Sequence, residues 1–261
     1  EGKGGDDVIS AGGGDDTVYG GEGDDTIYGD GGPDAPSETG TCTGPRESFN
    51  WDLVNSSQAD SSVVQDTGDV NVTYTRIADT GNHESGIDNS TPLNTSGIDS
   101  GPEAIDTNSS LDSETGGNGN KGAFQWEFDE PVGNVQFNVN DLDGDGVVTV
   151  TAYGPDGEET VVHLTGGRDI DIADNTATAT GSYQPVNDAD INVQVSIDGP
   201  VSKIVLEHQQ MGQGNSGIHI TDMYFDTGYV PDPVDDGGDD TIDGGEGADQ
   251  MFGEGGDDTF I

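Results

Sequence analysis

Two spacings of apolar residues run along the chain. At both ends they recur singly every nine positions: Ile9, Val18 and Ile27, then Ile242, Met251 and Phe260. In the middle the period is two. Ile191, Val193, Val195 and Ile197 alternate with polar residues, as do Phe124, Trp126 and Phe128. Val135, Phe137 and Val139 repeat the pattern, and so do Val70, Val72 and Tyr74. Alternation of this kind predicts strands with one buried face. Further strands are predicted at 49–53, 147–153, 160–164, 203–206, 217–220 and 223–225. No long stretch has a 3.6-residue period, so helices should be few. About ten short strands with one apolar face indicate an antiparallel β-sandwich over residues 45–230. Residues 78–122 break the pattern, being rich in Ser, Thr, Asn, Gly and Asp with dispersed apolar residues. They hold either two short strands or a functional excursion over one sandwich face.

The ends obey a different rule. Read in nines from Gly2, the start gives GKGGDDVIS, AGGGDDTVY and GGEGDDTIY, then a fragment, GDGGPD, before Pro36. From Asp235 the end gives DDGGDDTID, GGEGADQMF and GEGGDDTFI. The sixth residue is always Asp: Asp7, Asp16, Asp25, Asp34, Asp240, Asp249 and Asp258. Glycines let the first six residues turn tightly, with carbonyls directed inward beside the sixth-position carboxylate. Such hard oxygen ligands suit calcium. The last three residues read polar–apolar–polar, a short strand with one buried side chain. One repeat cannot close a core, so copies must stack. A flexible Gly/Asp linker would not keep an apolar residue in phase, and no G-K-[ST] follows these glycines to make a phosphate loop.

These repeats resemble the G-G-x-G-x-D-x-U-x nonapeptides of the RTX (repeats-in-toxin, hemolysin-type) calcium-binding proteins. The resemblance implies a parallel β-roll with several Ca2+ ions between turns on the same side. It implies shared sites at Asp7 with Asp25, Asp16 with Asp34, and Asp240 with Asp258. The expected organisation is a roll half at 1–34, a linker at 35–44, the sandwich at 45–230, a linker at 231–234 and a second roll half at 235–261. If the sandwich's first and last strands are neighbours, both halves form one roll. The chain starts without Met and ends on a completed repeat, as an excerpt of a longer array would.

Charge sharpens this division. The 261 residues carry 53 Asp+Glu against 6 Lys+Arg, a formal net charge of −47, with 29% hydrophobic residues. Residues 1–34 and 235–261 hold 20 acids and one base, net −19; the other 200 residues hold 33 acids and five bases, net −28. The ends are about twice as charge-dense. No apolar run approaches the roughly 20 residues of a spanning helix. Scattered basic residues argue against nucleic acid and against anionic membrane surfaces. Cys42 alone excludes an intrachain disulfide and reads as a spare thiol.

Within the middle, Asp141, Asp143 and Asp145 form D-x-D-G-D-G. Position twelve of an EF-hand would be Ala152, not Glu, and strands flank the loop, so the choice is a calcium-binding turn or a solvated one. The runs FNVNDLDGDGVVTVTAYGPDGEE, GPVSKIVLEHQQ and GIHITDMYFDT resemble jelly-roll modules of bacterial surface and secreted proteins, many of which bind carbohydrate. That resemblance implies a calcium clamp from Glu47 and Asp226 at the joined ends. His83, His163, His208 and His219 make no zinc pair, and His163 and His219 are expected to face outward. No G-x-S-x-G elbow occurs. Trp51 and Trp126 read as core. Tyr183 and Tyr229 are freer to act as ligand platforms. The expectation is a non-enzymatic, calcium-dependent extracellular or cell-surface segment, exported by type I secretion from a Gram-negative bacterium, whose sandwich adheres to a glycan or cell-surface polysaccharide. Alternatives are a spacer or surface-layer subunit that self-associates through roll ends, or an accessory domain of a carbohydrate-active enzyme.

Overall fold

A computed structural model describes residues 1–12, 15–30, 40–55, 62–181, 183–231 and 238–261. The protein is all-β, and its described helical turns are two short 3-10 segments, Trp51–Leu53 and Ala189–Ile191. Contacts divide it into two compact units. One comprises Glu1–Thr39 with Pro231–Ile261, the other Gly40–Val230.

The first unit is a parallel roll made from both ends of the chain. One sheet runs Lys3–Gly4, Thr17–Glu22, Thr241–Glu246, Thr259–Phe260, and the other runs Val8–Ser10, Thr26–Tyr28, Gln250–Phe252. Within the first block, strands pair at an 18-residue offset, as in Val8 against Thr26. Across the blocks the offset is 224, as in Thr241 against Thr17 and Gln250 against Thr26. An insertion of 206 residues makes up the difference, and the repeat resumes in register. The polar–apolar–polar strands then act as the period requires. Val18, Ile27 and Ile242 are buried, with Ile9, Ala11 and Met251 packed against them.

The second unit is a sandwich organised by one long strand, Ser110–Asn140. Its first part pairs antiparallel with Asn71–Asp88, Val201–Gln210 and Asn215–Thr221. Near Asn134, whose φ is 46°, it passes over to Val193–Ile197. The alternating segments bury the faces their sequences predict: Gly146–Tyr153 and Val193–Ile197 alternate strictly between buried and half-buried positions. Phe49, Trp51, Tyr74, Phe124, Trp126, Phe137 and Phe225 fill the core. Trp51 stands edge-on to Phe49 and Tyr74 at centroid distances of 5.0 and 5.1 Å, a favoured arrangement of aromatic quadrupoles.

Several expectations change. The predicted strand at 160–164 is two, Glu159–Thr160 and His163–Gly166, and Ile191 falls in a 3-10 turn rather than in the strand Val193–Ile197. Residues 49–53 are not one strand: Arg46–Phe49 is extended and Trp51–Leu53 is a 3-10 turn. Most of 78–122 belongs to the long strands Asn71–Asp88 and Ser110–Asn140, leaving 89–109 as the connection. Their apolar alternation is missing because a buried polar strip takes its place. His83 Nε2 meets Ser113 Oγ at 3.1 Å, Ser113 Oγ meets His208 Nδ1 at 3.0 Å, and His208 Nε2 meets Ser216 Oγ at 3.1 Å. Each group satisfies the next, so burial is tolerated. Finally, His163 is exposed as expected, but His219 is buried, its Nδ1 3.1 Å from Ser110 Oγ.

Candidate functional site

Stacking in register brings the sixth-position carboxylates of the roll into two ladders. The Asp7 amide donates to Asp25 Oδ1 (2.9 Å), and the Asp25 amide to Asp249 Oδ1 (3.0 Å). On the other side the Asp16 amide donates to Asp240 Oδ1 (2.9 Å), and the Asp240 amide to Asp258 Oδ1 (3.1 Å). One oxygen of each accepting carboxylate is thereby used. The Oδ2 atoms of Asp7, Asp25 and Asp240 are buried and have no hydrogen-bond partner among the described residues. A buried, unmatched carboxylate oxygen is costly. The glycines make room beside these oxygens. A Cβ on Gly20 would come within 3.0 Å of both Asp25 Oδ2 and the Gly244 carbonyl oxygen, and one on Gly2 would do the same to Asp7 Oδ2 and the Gly20 carbonyl. Unpaired carboxylate oxygens and carbonyls converging on a space cleared of side chains are the donor set of a hard divalent cation.

The expected pairs Asp7–Asp25 and Asp240–Asp258 lie together, and Asp25–Asp249 adds to them. Asp34 lies outside the described residues. Asp16 takes Asp240 as its neighbour, because the insertion brings the second block into that place. Unforeseen was a second ladder at the fifth position. The amides of Asp24, Asp239, Ala248 and Asp257 donate to Oδ1 of Asp6, Asp15, Asp24 and Asp239 at 2.8–3.1 Å. These carboxylates are exposed and cap successive turns. The doubled Asp-Asp in the repeat was the available signal: one residue caps outside, the next faces the cation space.

In the sandwich, a cavity of about 360 Å3 is lined by Glu114, Asp141, Asp143, Tyr183, Asn215 and Ser216, among others. The Asp141 and Asp143 carboxylates line it from a turn whose backbone is left-handed at Asp141, Gly144 and Asp145 (φ 65°, 59° and 66°). Asp145 points elsewhere, against Gly212. Burial, then Asp143, Asp112 and Glu114, push the Asp141 carboxyl up to about 7. Burial, then Glu114 and Asp88, push Asp112 up to about 6. Burial also raises Asp143. Tyr183 borders the cavity, 66% exposed, with its hydroxyl donating to the Asn215 carbonyl at 2.8 Å.

No three His, Cys, Asp or Glu side chains converge on a metal-sized space among the described residues. Asp141, Asp143 and Asp145 therefore do not form a cage, and the roll's sites rest on carboxylates joined by backbone carbonyls. Glu47 and Asp226 are not brought together. Glu47 pairs across the strands with Phe225 and Asp226 with Arg46, so the two carboxylates leave opposite faces. Glu47 accepts from the Thr67 hydroxyl (2.6 Å) and the Asp69 amide (2.7 Å). Asp226 is paired with Arg46 at 2.7 Å. Tyr229 is half-buried against Gly40, beside a separate cavity of about 300 Å3. Trp51 and Trp126 are core.

Among curated proteins, none matches this sequence. Solved structures are similar at low level, three of them as follows. The tailspike protein 4 enzymatically active domain of bacteriophage CBA120 is 13% identical, with 61% of this chain and 19% of that chain covered and a TM-score of 0.31. The K1 cleaved adhesin domain of Lys-gingipain from Porphyromonas gingivalis W83 is 13% identical over 71% and 99%, TM-score 0.32. The family 11 carbohydrate-binding module of the cellulosomal cellulase Lic26A-Cel5E of Clostridium thermocellum is 6% identical over 65% and 96%, TM-score 0.28. A family model describing the RTX calcium-binding nonapeptide repeat in four copies matches residues 1–35 and 234–260. The ladder-forming segments at both ends of this chain match the RTX calcium-binding nonapeptide repeat, which implies Ca2+ as their cation.

Proposed function

We propose that this chain is a calcium-dependent extracellular segment in which the roll folds on binding Ca2+ and carries a sandwich that binds hydroxyl-rich ligands, glycans above all. The buried Oδ2 atoms of Asp7, Asp25 and Asp240, without a hydrogen-bond partner among the described residues, carry the calcium half of this reading. At the low calcium of a cytosol the ladders repel one another and the ends stay unfolded, in a form suited to type I secretion. Outside, where modules of this kind have dissociation constants of about 10⁻⁴–10⁻³ M, calcium neutralises the turns. One site filled to 100 times its constant contributes about 2.7 kcal/mol, so several act together.

The glycan half rests on the Glu114, Asp141 and Asp143 cavity beside exposed Tyr183. Carboxylates accept from paired sugar hydroxyls, and an aromatic face stacks on the apolar side of a pyranose ring. The test is a glycan-array screen of the full chain with and without calcium, repeated for Glu114→Gln. Binding of a defined glycan class that the variant loses is the expected result. An array blank in both conditions removes the glycan reading.

A further inference from the structure

The connection 89–109 has no strand of its own, yet it is held against a sheet face. Gln136, Asn138 and Asn140 alternate along the strand Ser110–Asn140 and so share one face. Gln194 stands directly opposite Asn138. These four side-chain amides grip the main chain of the connection. Asn138 Nδ2 donates to the Asn94 and Ser96 carbonyls (3.0 and 3.1 Å), Asn140 Nδ2 to Asn94 (3.2 Å) and Gln194 Nε2 to Ser96 (2.8 Å). In return Asn140 Oδ1 accepts from the Asn94 amide and Gln136 Oε1 from the Asp99 amide, each at 2.7 Å. A side-chain amide both donates and accepts, so a row of them reads the carbonyls and amides of an extended chain. Of the apolar side chains in the connection, Leu93 is the buried one.

The geometry lets this segment move as a unit. Its flanking residues, Asp88 and Ser110, are paired across the hairpin, so both hinges sit at one place. The Leu93 amide donates to the Thr107 carbonyl at 2.8 Å and closes the loop on itself. Arg46 Nε and Ser48 Oγ add contacts to the Asp99 carbonyl and the Glu103 carboxylate, at 2.6 and 3.0 Å. The electrostatics work against the seated segment. Residues 89–109 hold Asp99, Glu103 and Asp106 and no Lys, Arg or His, in a chain of net charge −47. Burial, then Asp106, raises the Asp52 carboxyl, so one end of the segment brings like charges together. An occupant with basic residues complements these surroundings better.

We propose that Gln136, Asn138, Asn140 and Gln194 form a binding face for an extended basic peptide segment of a partner protein, and that residues 89–109 cover it as an autoinhibitory strap. The seated strap shows the pose such a segment takes: main-chain groups on the amide row and an apolar residue at the place of Leu93. Because the strap is tethered, its local concentration is of millimolar order. A partner therefore binds the intact chain only as far as the strap opens. The face is separate from the roll and from the Glu114 cavity, and it depends on neither calcium nor glycan binding.

Fluorescence anisotropy on the full chain tests it, with a labelled peptide of residues 91–100 that carries Asp99→Lys. Two variants free the face. In Gly97→Ala, a φ of 86° and a Cβ 2.7 Å from Gln194 Nε2 disfavour the seated strap; in the second, a short Gly-Ser linker replaces residues 92–106. Both are expected to bind the peptide at least about tenfold tighter than the unaltered chain does, and tighter than they bind the peptide that keeps Asp99. Adding Asn138→Leu to Gly97→Ala should abolish binding, and adding Gln194→Leu should weaken it about fivefold. In the unaltered chain, excess peptide should speed hydrogen exchange at the Asn94 and Asp99 amides. Emission from the buried Trp51 and Trp126 reports that the sandwich is folded. A peptide that binds neither folded variant and leaves that exchange unchanged overturns the proposal, as does binding that ignores Asn138→Leu or the Asp99→Lys change.

Discussion

The two units reach order by different physics. The sandwich buries a contiguous apolar core around Trp51, Trp126 and Phe137 and contains its polar strip through His–Ser hydrogen bonds. Among its described residues the roll buries three apolar side chains, Val18, Ile27 and Ile242, with three more half-buried beside them. So small a core cannot offset chain entropy, and the roll adds the cost of buried carboxylates. On the proposed reading a cation supplies what it lacks in apolar area. On that reading, one unit is stabilised by its own interior and the other is made conditional on the calcium of its solvent.

The largest expected effect separates them outright. Chelation should unfold the roll and leave the sandwich folded. Hydrogen exchange read by segment checks this, and protection retained at 15–30 and 238–261 in chelator would break the comparison. Next, Trp126→Ala should cost the sandwich about 3–5 kcal/mol, while calorimetry shows an unchanged calcium stoichiometry. The converse change is Gly20→Ala, whose Cβ enters the space between Asp25 Oδ2 and the Gly244 carbonyl. It should destabilise the calcium-loaded roll by about 1–3 kcal/mol without moving the sandwich's melting temperature.

A smaller effect concerns pH. Asp222 is buried, accepts from the Trp51 amide and the Ser109 hydroxyl, and is pushed up to about 7 chiefly by burial. Its folded pKa exceeds the unfolded value of 3.8. Its contribution is therefore complete at low pH and lost as pH rises through about 7. His208 works in the opposite sense. Burial, then His83, lowers it from 6.5 to about 3, so stability falls as pH drops from 6.5 toward 3. With chelator present, Asp222→Asn should flatten the decline between pH 4 and 7 in thermal melts; a decline as steep as before would count against buried Asp222 as its source. The smallest effect is Tyr183→Ala, within about 0.5 kcal/mol of unaltered stability but with glycan binding lost. A large drop in melting temperature would recast Tyr183 as structural.

Legibility in the sequence follows the same divide. The roll could be read nearly residue by residue, because every turn solves one local problem and the period exposes the solution. Asp7 faces Asp25 in space because 18 residues make two turns. The strands at 146–153 and 193–197 were likewise legible, since one face meets apolar core and the other does not; Ile191 instead ends a 3-10 turn. The hairpin containing His83 and Ser113 was not, because there polar groups satisfy one another and no apolar signal is left. The proposed clamp of Glu47 and Asp226 failed on parity: adjacent strands placed the residues side by side but on opposite faces.

From sequence alone came the nine-residue period, the glycine turns, the inward apolar residue and the carboxylate beside it. All are local consequences of backbone geometry and charge, repeated. Tertiary structure alone decided which distant segments complete one another. It set Asp240 against Gly29 and Asp16, and it joined Glu114 to Asp141 and Tyr183 at one cavity. Such partners share no spacing in the chain. They meet because sheet register and the burial of a common core bring their strands together.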